Sequence, residues 1–97
     1  MKKKIEFATS EEIEKRDREV RLIINIVEPD PEFQPMFISD EACFYDITAK
    51  NEKEIEENLI FYFKGELPAE LGTPIWQFIE IVKQRYPGWP DVWPPEH

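Results

Sequence analysis

The side chains in this sequence best equipped to act on another molecule are carboxylates. Glu28, Asp30, Glu32, Asp40, Glu41 and Asp46 all fall between Leu22 and Ala49, a stretch without a single Lys or Arg. Such a stretch offers acid–base catalysis by a carboxylate pair, coordination of a divalent cation, or attraction of a cationic surface. No spacing selects a catalytic pair, and Asp30, Glu32, Asp40 and Asp46 do not follow a calcium-loop pattern. Attraction of a cationic surface is the reading that remains. Pro29, Pro31 and Pro35 stiffen the loop that presents Glu28, Asp30 and Glu32, which lowers the entropy lost when a partner orders it.

Other reactive groups are scarce. Cys43 is the single cysteine and His97, at the last position, the single histidine, so Cys–His and Ser–His nucleophile pairs and a structural zinc site are not expected. Gly65, Gly72 and Gly88 are too dispersed to cradle a phosphate. The chain is therefore read as a non-enzyme with no cofactor and no bound metal. A lone cysteine in an apolar stretch suits a reducing compartment, which makes the cytoplasm the expected location. The longest apolar run, Leu59 to Phe63, is far shorter than the roughly 20 residues a bilayer span needs. Met1 to Lys4 leads into Ile5-Glu6-Phe7 with no apolar signal region, so neither membrane association nor secretion is expected.

Charge is unevenly placed. The formal net charge is −9, yet residues 1–21 carry seven Lys or Arg against six Asp or Glu, leaving five against fifteen in residues 22–97. That field repels a phosphate backbone, which argues against nucleic acid, and draws in a basic protein. The same charge also serves simple solubility. Aromatic content of 13% supplies a second candidate surface. Trp76, with Phe61 and Tyr45, exceeds what the inferred core stripes bury, and surplus rings often mark an interface. Trp89 and Trp93 lie among prolines in the tail, where they either seal the body of the protein or reach a groove on another chain.

The elements that must position these groups are read from periodicity. Residues 1–18 form an arm or short helix, with Ile5 and Phe7 as a short strand and Thr9-Ser-Glu-Glu12 as a capping box. Val20 to Val27 is rich in β-branched residues, with Val20, Leu22, Ile24 and Ile26 alternating, and reads as a central strand ended by Glu28-Pro-Asp-Pro-Glu32. Pro35 to Ile38 and Ala42 to Thr48 read as two further strands joined by Ser39-Asp-Glu41. Asn51 opens a helix with Ile55, Leu59, Tyr62 and Phe63 on its apolar stripe, ending at Gly65. Thr73-Pro74 opens another, with Ile75, Phe78, Ile79, Val82 and Tyr86 buried.

The expected fold is thus a single α+β domain over residues 1–97, with residues 19–86 as its core. It has a three-stranded antiparallel meander, two C-terminal helices packed on one face, and an extended Pro/Trp-rich tail over residues 87–97. The expected role is that of a small acidic, bacterial-type interaction protein, an inhibitor or immunity-like chain masking a basic partner. Its partner-binding residues would be Glu28, Asp30, Glu32, Asp40, Glu41, Asp46, Trp76, Trp89 and Trp93. Two alternatives are a homodimeric accessory domain, with a second copy as partner, and a small-molecule binder with a pocket lined by Phe44, Tyr62 and Phe78.

Overall fold

A computed structural model describes residues 10–35 and 37–93 of the chain. The expected strand at Ile5 and Phe7 and the capping box at Thr9 lie outside the described residues, as do Met36 and residues 94–97. Among the described residues there are five helices and no strand: α1 (Glu11–Lys15), α2 (Asp17–Val27), α3 (Phe44–Ile47), α4 (Glu52–Tyr62) and α5 (Ile75–Arg85). The fold is helical, and the α+β meander expected from sequence does not form.

The largest correction concerns Val20 to Val27, which lies within α2. Its buried residues are Glu19, Val20, Ile23, Ile24 and Val27, the spacing of one helical stripe, while Arg21 and Asn25 face solvent. The preference of β-branched residues for strands is small and context-dependent, so packing of this stripe overrides it. Polar neighbours reinforce the helix: Asp17 and Glu19 lie in its first turn, and Arg21 pairs with Asp17 at 2.9 Å one turn away.

The other two expected strands dissolve for local reasons. Residues 37–39 run as loop, and residues 44–47 close a single helical turn. The Cys43 backbone N–H donates to Asp46 Oδ2 at 3.0 Å, so a carboxylate that lay within the expected strand caps that turn instead. Phe44 and Ile47, three residues apart, are the pair it buries.

Both later helices form where expected. In α4 the Asn51 side chain accepts from the Glu54 N–H, and Ile55 and Leu59 are buried. Its end is a left-handed cap in which Gly65 N–H donates to Ile60 O and Lys64 N–H to Phe61 O, with Lys64 itself at φ 63°. In α5 Ile75, Phe78, Ile79 and Val82 are buried, and the helix begins just after Pro74.

The core lies where α2 meets α4 and α5. Phe44 and Phe78 pack edge to face at 4.8 Å, and Phe63 joins them from the end of α4. The tail is not extended: Gly88, at φ 100°, lets it turn, and the Val92 N–H donates to Gly88 O. That turn drives Trp89 inward to 3% exposure, with its indole N–H donating to the Tyr62 hydroxyl at 3.0 Å. Trp93 stacks on Tyr62 at 5.2 Å and meets Tyr86 edge-on at 5.0 Å, closing the same end of the core.

Lys64 occupies a backbone conformation that glycine adopts without strain. Lys64→Gly is expected to stabilise the fold by about 0.5–1 kcal/mol, part of the relief being offset by loss of a cation at the helix end. Chemical denaturation at neutral pH measures the change.

Candidate functional site

Two polar tethers lay the loop between α2 and α3 against the outer side of α1 and α2, and a third holds the end of α2 to the residue after α3. Gln34 Nε2 donates to Asn25 Oδ1 at 2.7 Å and to the Glu28 carbonyl at 2.8 Å, holding the loop start to the end of α2. The Ile13 N–H donates to Asp40 Oδ1 at 3.0 Å, fixing the loop's far end to α1. The Thr48 hydroxyl donates to Glu28 Oε1 at 2.9 Å, joining the end of α2 to the segment that enters α4.

Between these tethers two open hollows meet at Phe37 and Ile38. One, of about 460 Å³, runs along α1 and α2 past Ile13, Val20 and Ile24, with Glu14, Asp17 and Arg21 at its edge. The other, of about 350 Å³, has Ala42 and Ile47 in its floor and Glu41 and Asp46 at its rim. Together they form one furrow with an apolar floor and mostly acidic edges. Phe37, 65% exposed, stands between the two halves.

The expected site residues are thus divided. Glu41 and Asp46 lie at this furrow, and Asp40 is one of its tethers. Glu28 is only 4% exposed and acts as a buried clamp on Thr48. Asp30 caps the short 3₁₀ turn Pro31–Phe33 by accepting from the Glu32 N–H at 3.0 Å, and Glu32 is exposed beside it. The three tryptophans are elsewhere. Trp89 is in the core and Trp93 stacks over it on Tyr62. Trp76 lies at the start of α5 beneath the Arg16 guanidinium, 5.1 Å from its ring centre. The pocket expected at Phe44, Tyr62 and Phe78 is filled by the rings themselves, two of them fully buried.

Sequence reasoning missed Phe37 and Ile38, which it assigned to a strand, and the contribution of Ile13, Val20 and Ile24 to a solvent-facing groove.

Ion pairing is as unevenly distributed as charge. Arg16 donates through Nε to Glu80 at 2.7 Å and through Nη1 to Glu12 at 2.8 Å, bolting α1 to α5. Glu19 meets Lys83 at 3.2 Å and Arg18 at 3.7 Å, Arg18 also meets Asp91 at 2.7 Å, and Arg85 pairs with Glu66. Among the described residues no carboxylate from Glu41 to Glu57 takes part in an ion pair. No three His, Cys, Asp or Glu side chains converge as a metal site among the described residues. Nor is any described helix long and apolar enough to cross a membrane. The Cys43 thiol, half-buried, lies 3.5 Å from Asp46 Oδ2, a carboxylate that offers no cationic activation.

Comparison of the chain with protein-family models, with curated proteins and with solved structures gives no match.

Burial alone would raise the Glu19 pKa, but its backbone N–H and the nearby Lys83 and Arg18 outweigh burial and hold it below the ordinary carboxylate value. The folded state therefore favours the ionised form. Its contribution is present at neutral pH and is lost as pH falls through that lowered value, beneath the unfolded value of about 4.3. Glu19→Gln is expected to cost about 1–2 kcal/mol at pH 7. In thermal unfolding across pH 7 to 3, the gap between wild type and variant should close toward the acid end.

Proposed function

We propose that this chain is a non-catalytic acidic interaction module, of the kind that masks or regulates a basic protein partner, and that the furrow beside Phe37 seats that partner. The observation that carries the reading is the coincidence of an exposed Phe37 at an open furrow with carboxylates, Glu41 and Asp46, that pair with no cation among the described residues. Phe37 and Ile38 give a partner's apolar side chain something to bury against, while Glu41 and Asp46 meet its ammonium or guanidinium groups. Desolvating an apolar contact supplies affinity, and the surrounding charge supplies encounter rate and choice of sign. The partner surface that fits is cationic with a protruding apolar residue.

The furrow's walls are set by intramolecular hydrogen bonds, which limits the ordering cost on binding. Of the residues named from sequence, Glu41 and Asp46 carry the contact, Asp40 positions the wall, and Glu32 adds to the field. A reducing, cytoplasmic setting is part of this reading.

An amphipathic Lys/Leu peptide is a direct probe. Titrated at low salt, it should shift the amide resonances of Ile38, Glu41, Ala42 and Ile47, and affinity should fall steeply between 0.02 and 0.2 M salt, roughly the range over which screening shortens to about 8 Å. Glu41→Lys should weaken binding about three- to tenfold. A Glu/Leu peptide binding equally well, or shifts confined to another face, would remove this reading.

A further inference from the structure

Ser10 lines the hollow that runs along α1 and α2, together with Phe37 and Ile38. Residues 1–9, which lead directly into Ser10, lie outside the described residues and read Met-Lys-Lys-Lys-Ile-Glu-Phe-Ala-Thr. They bring the ammonium groups of Lys2, Lys3 and Lys4 and the apolar Ile5 and Phe7 against a single carboxylate, Glu6. The partner chemistry that fits the furrow, cationic with apolar side chains, is thus supplied by the chain itself at the furrow's own end.

We propose that residues 1–9 occupy the furrow of their own chain, Ile5 and Phe7 against Phe37 and Ile38 and the lysines against Glu41 and Asp46, so that a basic partner must displace them to bind. Resting on the reading of the furrow as a seat for cationic apolar surfaces, this contact adds its regulation. The length of chain allows it. The Glu14 N–H donates to Ser10 O, so Ile13 lies about one turn from Ser10; Ile13 holds Asp40, and Glu41 comes next in sequence. The α-carbons of Ser10 and Glu41 are therefore within about 17 Å. Lys4 stands six residues before Ser10, an extended reach of about 20 Å before its own side chain is added. In an extended segment residues two apart share a face, which presents Ile5 and Phe7 together.

Charge favours the same occupant. Glu14, at the furrow's edge, joins Glu41 and Asp46 in pairing with no cation among the described residues. Of the seven cations in residues 1–21, Lys15, Arg16, Arg18 and Arg21 engage carboxylates of the described chain. The other three are Lys2, Lys3 and Lys4, grouped in the segment that reaches the furrow. A tethered occupant acts at an effective concentration of order millimolar whatever the protein concentration, so a weak contact is enough to compete. Cationic surfaces that engage the furrow no better than the segment does are kept out, and stronger ones bind with reduced apparent affinity.

Two full-length variants read the result: Ile5→Ser with Phe7→Ser, which leaves the charge unchanged, and Lys2→Ser with Lys3→Ser and Lys4→Ser, each checked for an unchanged helical circular dichroism signal. In the free proteins the amide resonances of Ile38, Glu41 and Ala42 should differ from those of wild type, by amounts independent of protein concentration from about 0.05 to about 1 mM. Each variant should bind the Lys/Leu peptide about three- to tenfold more tightly than wild type at low salt. Unshifted amides and unchanged affinity in both variants, with the peptide still bound, would overturn the self-masking and leave the furrow standing as a cation site. A gain confined to the lysine variant would reduce the effect to overall charge and overturn it as well. Shifts that grow with concentration would assign the contact to a second copy instead. Peptide binding by none of the three chains would remove the furrow as a cation site and the masking with it.

Discussion

Burial of one stripe of α2 is the interaction on which the remainder of this structure depends. Val20, Ile23, Ile24 and Val27 are buried where α2 packs on its neighbours α4 and α5, and Ile23 and Val27 lose all contact with water. A helix satisfies its own backbone hydrogen bonds, so this segment can enter the core without a neighbouring strand. Both ends of the helix are then held by charge or hydrogen bonding. At the start, Arg16 ties the α1–α2 junction to Glu80 on α5 and lies over Trp76; at the end, the Glu28 carboxylate accepts from Thr48. These clamps act across elements far apart in sequence, so their contribution follows from the stripe having already brought the elements together.

The furrow follows from the same arrangement. With α2 fixed, Gln34 and Asp40 lay the intervening loop along it, so that Ile38 packs against the core while Phe37 stays exposed. The interior is already occupied by Phe44, Phe63 and Phe78 and by the tail's Trp89. Several acidic residues of the stretch act first as structural groups: Glu28 as a clamp, Asp30 and Asp46 as caps, Asp40 as a tether. The electrostatic surface is thus carried by fewer carboxylates than composition suggests, with the exposed Glu41 and Asp46 the contributors at the furrow.

Parts of this were legible in the sequence. Asn51 and the Ile55–Leu59 spacing located α4, Ile75–Phe78–Ile79–Val82 located α5, and the tryptophan-rich tail was recognisable as a source of core closure. The first half was misread because Val20 and Ile24 satisfy periods of 2 and 3.6 alike, and the residues that distinguish them, Leu22 and Ile26 against Ile23 and Val27, are all apolar. The polar positions would have decided it: Asp17, Arg21 and Asn25 recur every four residues, as one wet helical face requires. The furrow was illegible for a different reason. Its walls are made by hydrogen bonds such as Asp40 to Ile13, 27 residues apart, for which no local pattern exists. Likewise, nothing near Glu19 in sequence announces its partner Lys83 on α5.

Because every later contact presupposes that α2 is a helix, the most direct measurement is nuclear magnetic resonance of the amide protons of residues 18–28. The account predicts amide–amide contacts between successive residues, Hα-to-amide contacts three residues apart, and slow hydrogen exchange through Val20 to Val27. Close Hα–Hα contacts between this segment and residues 42–48, with exchange slow only at alternate positions, would contradict it and return the chain to a sheet.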